Sequence, residues 1–75
     1  MMEENNLITM ANQIGGFFKS YPDKELATKD IATHLKKFWP PVMRNKIIEY
    51  VSSAEEKDNL LDDMVNDAIK KYLKD

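Results

Sequence analysis

The sequence predicts a small all-α domain, and three observations carry that prediction. Apolar residues recur at three- and four-residue steps along most of the chain, no stretch alternates with a period of two, and short proline-containing breaks separate the periodic stretches. With 75 residues there is room for a single domain only, a bundle of about four short helices occupying residues 1–75. Zero cysteines exclude disulfides, thiolate metal sites and thiol catalysis, and suit a reducing compartment. A domain this small then depends on regular helix packing or on a partner for its stability.

The first helix is read from Leu7, Met10, Ala11, Ile14, Phe17, Phe18 and Tyr21, which share one face at helical spacing. Asn5 or Asn6 is the expected cap, with Glu3 and Glu4 where negative charge suits the positive end of the helix dipole. Residues 1–6 are expected to be a flexible N-terminus. They carry two glutamates and no basic cluster, so they do not read as a targeting peptide. Gly15 and Gly16 are anomalous inside this helix, since each interior glycine costs about 1 kcal/mol relative to alanine. Either the helix is interrupted there or another backbone approaches closely.

Tyr21 and Pro22 end that helix, and Asp23 is placed to cap the next. Ala27, Ile31, Leu35 and Phe38 form the apolar stripe of helix two, with Thr28, Lys29, Lys36 and Lys37 on its wet faces. Trp39, Pro40 and Pro41 stop it, and Pro41 suits the first position of helix three, where a missing N–H is no loss. Helix three buries Met43, Ile47 and Val51, flanked by Ile48 and Tyr50, and turns Arg44, Asn45, Lys46 and Glu49 outward. Residues 7–51 thus form a three-helix part, and residues 52–75 an acidic C-terminal helix. Ser52 and Ser53, each followed three residues later by glutamate, resemble capping boxes, so helix four starts at Ala54 or, alternatively, after Asp58 or Asn59. Its stripe is the clearest in the chain: Leu61, Met64, Val65, Ala68, Ile69, Tyr72 and Leu73. Asp62, Asp63, Asn66, Asp67, Lys70 and Lys71 oppose it, acidic residues early and lysines late as the dipole prefers.

Composition narrows the function. A chain 43% hydrophobic and 32% charged folds, and a net charge of -2 gives no general attraction for phosphate backbones, which argues against nucleic-acid binding. No apolar run approaches the roughly 20 residues that span a bilayer, so no membrane role is expected and the cytoplasm is the expected location. An enzyme needs a convergent set of acid, base and nucleophile. Here the only histidine, His34, has no second histidine or cysteine to share a metal and reads as a structural or interface residue. Asp58, Asp62, Asp63 and Asp67 lack the glycine and terminal glutamate of a calcium loop and read as a solvated helix face.

Residues 34–44 are the most informative stretch, with adjacent aromatics, two prolines and basic neighbours. Two readings stay open. Both rings can lie in a helix–helix corner. Alternatively Phe38 continues the stripe while Trp39, about 100° further round the helix, projects outward as an anchor for a protein partner. On the second reading the partner-binding residues are Trp39, His34, Lys36, Lys37 and Arg44, the charges forming a polar rim.

Four blocks, MANQIGGFF at 10–18, YPD at 21–23, IATHLKKFW at 31–39 and PVMR at 41–44, occur in an order and spacing that resemble the delta subunit of soluble NAD-dependent formate dehydrogenases. The resemblance covers residues 7–51 and departs at Val42, where a basic residue is expected. It implies a non-catalytic accessory subunit without a cofactor of its own. Its partner would be the large catalytic subunit, which carries the molybdenum cofactor and iron–sulfur clusters, in a complex whose other subunits hold FMN and further clusters and reduce NAD. The delta subunit would stabilise that complex or assist its maturation. Three rivals are weaker. An acyl-carrier domain needs Asp-Ser-Leu at a helix start, which Ser20, Ser52 and Ser53 do not have. A helix-turn-helix DNA binder conflicts with the acidic fourth helix. Direct binding of the molybdenum cofactor would need an anion cradle that the scattered basic residues do not make. A small acidic protein-binding module unrelated to formate oxidation is the alternative from another class.

Overall fold

The computed structural model describes residues 4–54 and 59–73. Four helices follow one another among them: α1 (Glu4–Phe18), α2 (Lys24–Phe38), α3 (Pro41–Ser53) and α4 (Asp63–Ala68), the last continuing as a π-helical turn over Ile69–Leu73. No described residue is in a strand, and the all-α bundle expected from the periodicity is the observed architecture.

The helix boundaries follow local chemistry. Asp23 caps α2, its Oδ1 accepting from the backbone N–H groups of Glu25 at 3.0 Å and Leu26 at 3.2 Å. Pro40 and Pro41 open α3 in the positions that tolerate a missing donor. At the other boundaries the expectations need correction. Asn5 and Asn6 do not cap α1. The helix begins at Glu4, so both lie in its first turn. Ser52 and Ser53 do not open a helix either: they end α3, where Ser53 Oγ donates to Glu49 O at 2.8 Å and Ala54 N–H closes on Tyr50 O. The glutamates of the expected capping boxes fall at 55 and 56, outside the described residues. Helix α4 starts only at Asp63, later than any of the three starts considered.

The core is built from α2 packed on α4 and its π turn, with α1 laid against α2, α3 and α4 and α3 against the π turn. Leu7, Ile31, Leu35, Ile47, Val65 and Ile69 are its largest fully buried side chains, so each of the four helical segments contributes to one continuous cluster. The predicted stripes supply most of this cluster, with exceptions in both directions. Ile8, Thr28 and Ala32 are buried although they lie off the predicted lines. Thr28 was expected in water; its hydroxyl donates to Lys24 O at 2.8 Å, which satisfies the group internally and permits burial. Phe17 and Phe38 were expected inside and are 78% and 69% exposed.

The glycine anomaly resolves at one position. A Cβ placed on Gly15 would run into Cγ2 of Val65, so α1 and α4 approach more closely there than alanine allows. Gly16, one residue on, faces open space and carries none of that contact.

Residues 59–62, which lead into α4, are held by side chains. Asn12 on α1 donates to Leu60 O at 3.0 Å and accepts from Asp62 N–H at 2.8 Å. Asn59 accepts from Leu61 N–H at 2.9 Å and donates to Asn66 Oδ1 at 2.8 Å, and the Tyr50 hydroxyl accepts from Leu60 N–H at 3.0 Å. These bonds take over the pairing that backbone groups outside a helix otherwise lack.

Candidate partner-binding surface

Helix α2 runs to Phe38, and its last turn holds the residues expected to meet a partner. Trp39 follows with φ -96° and ψ 133°, extended backbone that leaves the helix path. Pro40 explains this, because the proline ring disfavours helical backbone in the residue before it. The indole therefore swings back over the core and is 6% exposed. The expectation that Trp39 projects outward is overturned. The ring that projects is Phe38, the residue assigned to the core.

The surrounding residues take separate roles. Lys36 and Lys37 are exposed, as a polar rim requires. Arg44 on α3 is half-buried, and its Nη1 donates to Lys36 O at 3.3 Å, so it fastens the start of α3 to the C-terminal end of α2. His34 is half-buried between rings: its centroid lies 4.6 Å from that of Phe38 with the planes tilted by 42°, and 6.4 Å from Phe18, edge to face. His34 and Phe38 thus share one surface, while Lys36 and Arg44 meet at a backbone carbonyl. The buried indole joins neither group.

That surface continues onto α1. Phe18 packs edge to face with Phe17 at 5.4 Å and with Tyr21 at 5.1 Å. A shallow cleft of about 380 Å³ is lined by Met10, Gln13, Ile14, Phe17, Phe18 and His34. No lining residue is a permanently charged side chain. Helical spacing alone places Phe17, Phe18 and Phe38 in the interior, so this surface is not visible in the apolar stripes. The available signal was the breadth of the apolar face: Phe17 and Phe18 are adjacent, so about 100° of helix separates them and one must lie at the margin.

A second cleft, of about 500 Å³, has the opposite character. Lys19, Lys24, Asp62, Asp63 and Asp67 line it together with Thr28 and Met64. Its charges offset one another in part, with Lys19 Nζ 3.9 Å from Asp62 Oδ2, and among the described residues no group of three His, Asp or Glu side chains is arranged to hold a metal ion. Of the acidic residues read as a solvated face, Asp63 and Asp67 are exposed and Asp62 is half-buried, while Asp58 lies outside the described residues. At the start of α2, Glu25 pairs with Lys71 at 3.8 Å and accepts a hydrogen bond from the Tyr72 hydroxyl, which ties the π turn to this helix.

Comparison with known proteins gives one match. The family described as NADH-dependent formate dehydrogenase delta subunit FdsD matches residues 6–69, which extends the similarity beyond residues 7–51 into α4. No curated protein and no solved structure matches.

Proposed function

Because the chain belongs to the family of NADH-dependent formate dehydrogenase delta subunits, we propose that it is a non-catalytic accessory subunit of such a complex. In this reading it binds the large molybdenum-bearing subunit and either stabilises the assembled enzyme or assists its maturation in the cytoplasm. The observation that carries the reading is the family match over residues 6–69, which takes in most of α1 and all of α2, α3 and α4.

The chemistry of the side chains supports it. The redox groups of such a complex need ligands that this sequence does not supply: an iron–sulfur cluster is held by thiolates, and there is no cysteine. A dinucleotide or flavin site on a strand–glycine loop–helix unit does not fit either, since Gly15 and Gly16 lie inside a helix, Gly15 against Val65. His34 packs against the rings of Phe18 and Phe38, and the sequence holds no second histidine to share acid–base or metal chemistry with it. Molybdenum cofactor, clusters, FMN and NAD accordingly belong to the partner subunits in this proposal. No helix among the described residues is long and apolar enough to cross a membrane.

The test is affinity purification of the full chain from its own cells, with mass spectrometry of what co-purifies. The large formate dehydrogenase subunit is expected in stoichiometric amount, and its absence would overturn the proposal. The purified chain alone is expected to give no formate-dependent reduction of NAD; turnover by this chain would equally overturn it.

A further inference from the structure

We propose that the surface formed by α1 and the C-terminal half of α2, centred on Phe17, His34 and Phe38, is the face that docks on the large subunit, and that it meets an uncharged, apolar patch there. The inference rests on the accessory-subunit reading and adds which surface is used and what the opposing surface is made of.

Charge carries the argument. In a chain that is 32% charged, residues 5–18 contain no Asp, Glu, Lys or Arg. The exposed positions of α1 over that span are Asn5, Asn6, Thr9, Gln13, Gly16 and Phe17, all uncharged. An ordinary solvated helix face carries charges, as the exposed Asp63, Asp67, Lys70 and Lys71 of the C-terminal segment do. Loss of charge together with gain of aromatic residues is the compositional mark of the buried centre of a protein interface. Beside α1, the cleft of about 380 Å³ opens between Phe17 and His34, and Phe38 stacks on His34 at 4.6 Å to extend it along α2. On α2, Asp30 and Lys37, one turn before and after His34, are opposite in sign, and the exposed Lys36 leaves a single positive charge at the rim of this surface.

The same charge pattern selects the occupant. A nucleic acid or an anionic lipid surface would find no cation on α1 to offset its desolvation, and a charged peptide would lose hydration without a counter-charge. An uncharged apolar protein surface loses nothing of that kind. A standard interface takes about 800 Å² from each partner, which is roughly a sixth of the 5048 Å² surface of this molecule and within reach of one face. Met10 in the cleft floor adds an adaptable side chain against which a partner can seat.

The experiment uses the full-length chain and formate dehydrogenase purified from cells lacking it. Phe17→Gln and Phe38→Gln, singly and together, are compared with the wild type for binding, with Glu49→Gln on the exposed face of α3 as control. Both rings are largely in solvent, so circular dichroism and melting temperature are expected to stay near wild type. Each single variant is expected to weaken binding at least tenfold and the double variant further, with the control unchanged. Wild-type affinity in the double variant would overturn the proposed surface while leaving the accessory-subunit reading in place. Failure of the wild type itself to bind the complex would overturn that reading and the surface with it. Sedimentation decides the remaining occupant: a wild-type dimer that the double variant abolishes assigns this face to a second copy and overturns the proposal.

Discussion

Trp39 and Phe38 exchange the places that a helical wheel assigns them, and the exchange turns on one backbone torsion. A wheel describes residues that remain on the helix, and Trp39 does not, because Pro40 forces it into extended conformation. With the indole in the core, Trp39→Ala is expected to destabilise the free protein by about 3–5 kcal/mol, a large share of what so small a domain possesses. Urea denaturation followed by circular dichroism checks it; a variant as stable as the wild type would return the indole to the surface. The glycines separate in the same way. Gly15→Ala forces a methyl against Val65 and is expected to lower stability by about 1–3 kcal/mol, outweighing the helix-propensity gain. Gly16→Ala meets nothing and is expected to raise it by roughly 1 kcal/mol. Equal melting temperatures for the two variants would remove the close approach as the explanation of Gly15.

At the scale of elements, the described residues just before α4, 59–62, depend on a neighbouring helix. Asn12 alone satisfies Leu60 O and Asp62 N–H from α1. Asn12→Ala leaves the half-buried Asp62 N–H and the exposed Leu60 O without that partner and is expected to cost about 1 kcal/mol. Hydrogen exchange should show the loss locally, with faster exchange at Asp62 and little change at the centre of α2. Uniform acceleration throughout the chain would show instead that residues 59–62 and the bundle open as one unit. Helix α4 is short, and its anchorage comes from packing on α2 and from the bonds that Tyr72 and Lys71 of the π turn make to Glu25. Its acidic start and basic end add only dipole-scale support.

The whole molecule has two unlike sides. One carries paired and solvated charges around the cleft of Lys19, Asp62 and Asp67, and the other is the charge-free side of α1 with the rings of Phe17 and Phe38. For a chain of this size, surface is the principal resource, since a small domain leaves a large share of its area in solvent. Membership in a family of dehydrogenase subunits fits that economy: a docking face needs only apolar area, whereas a thiolate-held cluster needs cysteines that this sequence lacks. The isolated chain is accordingly expected to show a helical circular dichroism spectrum and no bound metal, flavin or cluster. A stoichiometric metal or flavin in the purified protein would contradict the assignment of all redox groups to partner subunits.

Sequence by itself determined the fold class, three of the helix boundaries and most of the core, because helical periodicity, Asp23 and the two prolines act over a few residues and need no distant partner. It also determined the family, through blocks at 10–18, 21–23, 31–39 and 41–44, and the absence of thiolate chemistry. Tertiary structure decided what depends on residues far apart in the chain. Whether Gly15 or Gly16 marks a close approach depends on where Val65 arrives from α4, and whether Thr28 is wet depends on the C-terminal segment packed on α2. The start of α4 was displaced to Asp63 in company with side-chain bonds from Asn12, Asn59 and Tyr50 that no local pattern announces. The candidate docking face was the least legible feature. An apolar residue at helical spacing looks the same whether its neighbours cover it or leave it exposed, and only the ends and crossings of the packed helices left Phe17 and Phe38 outside.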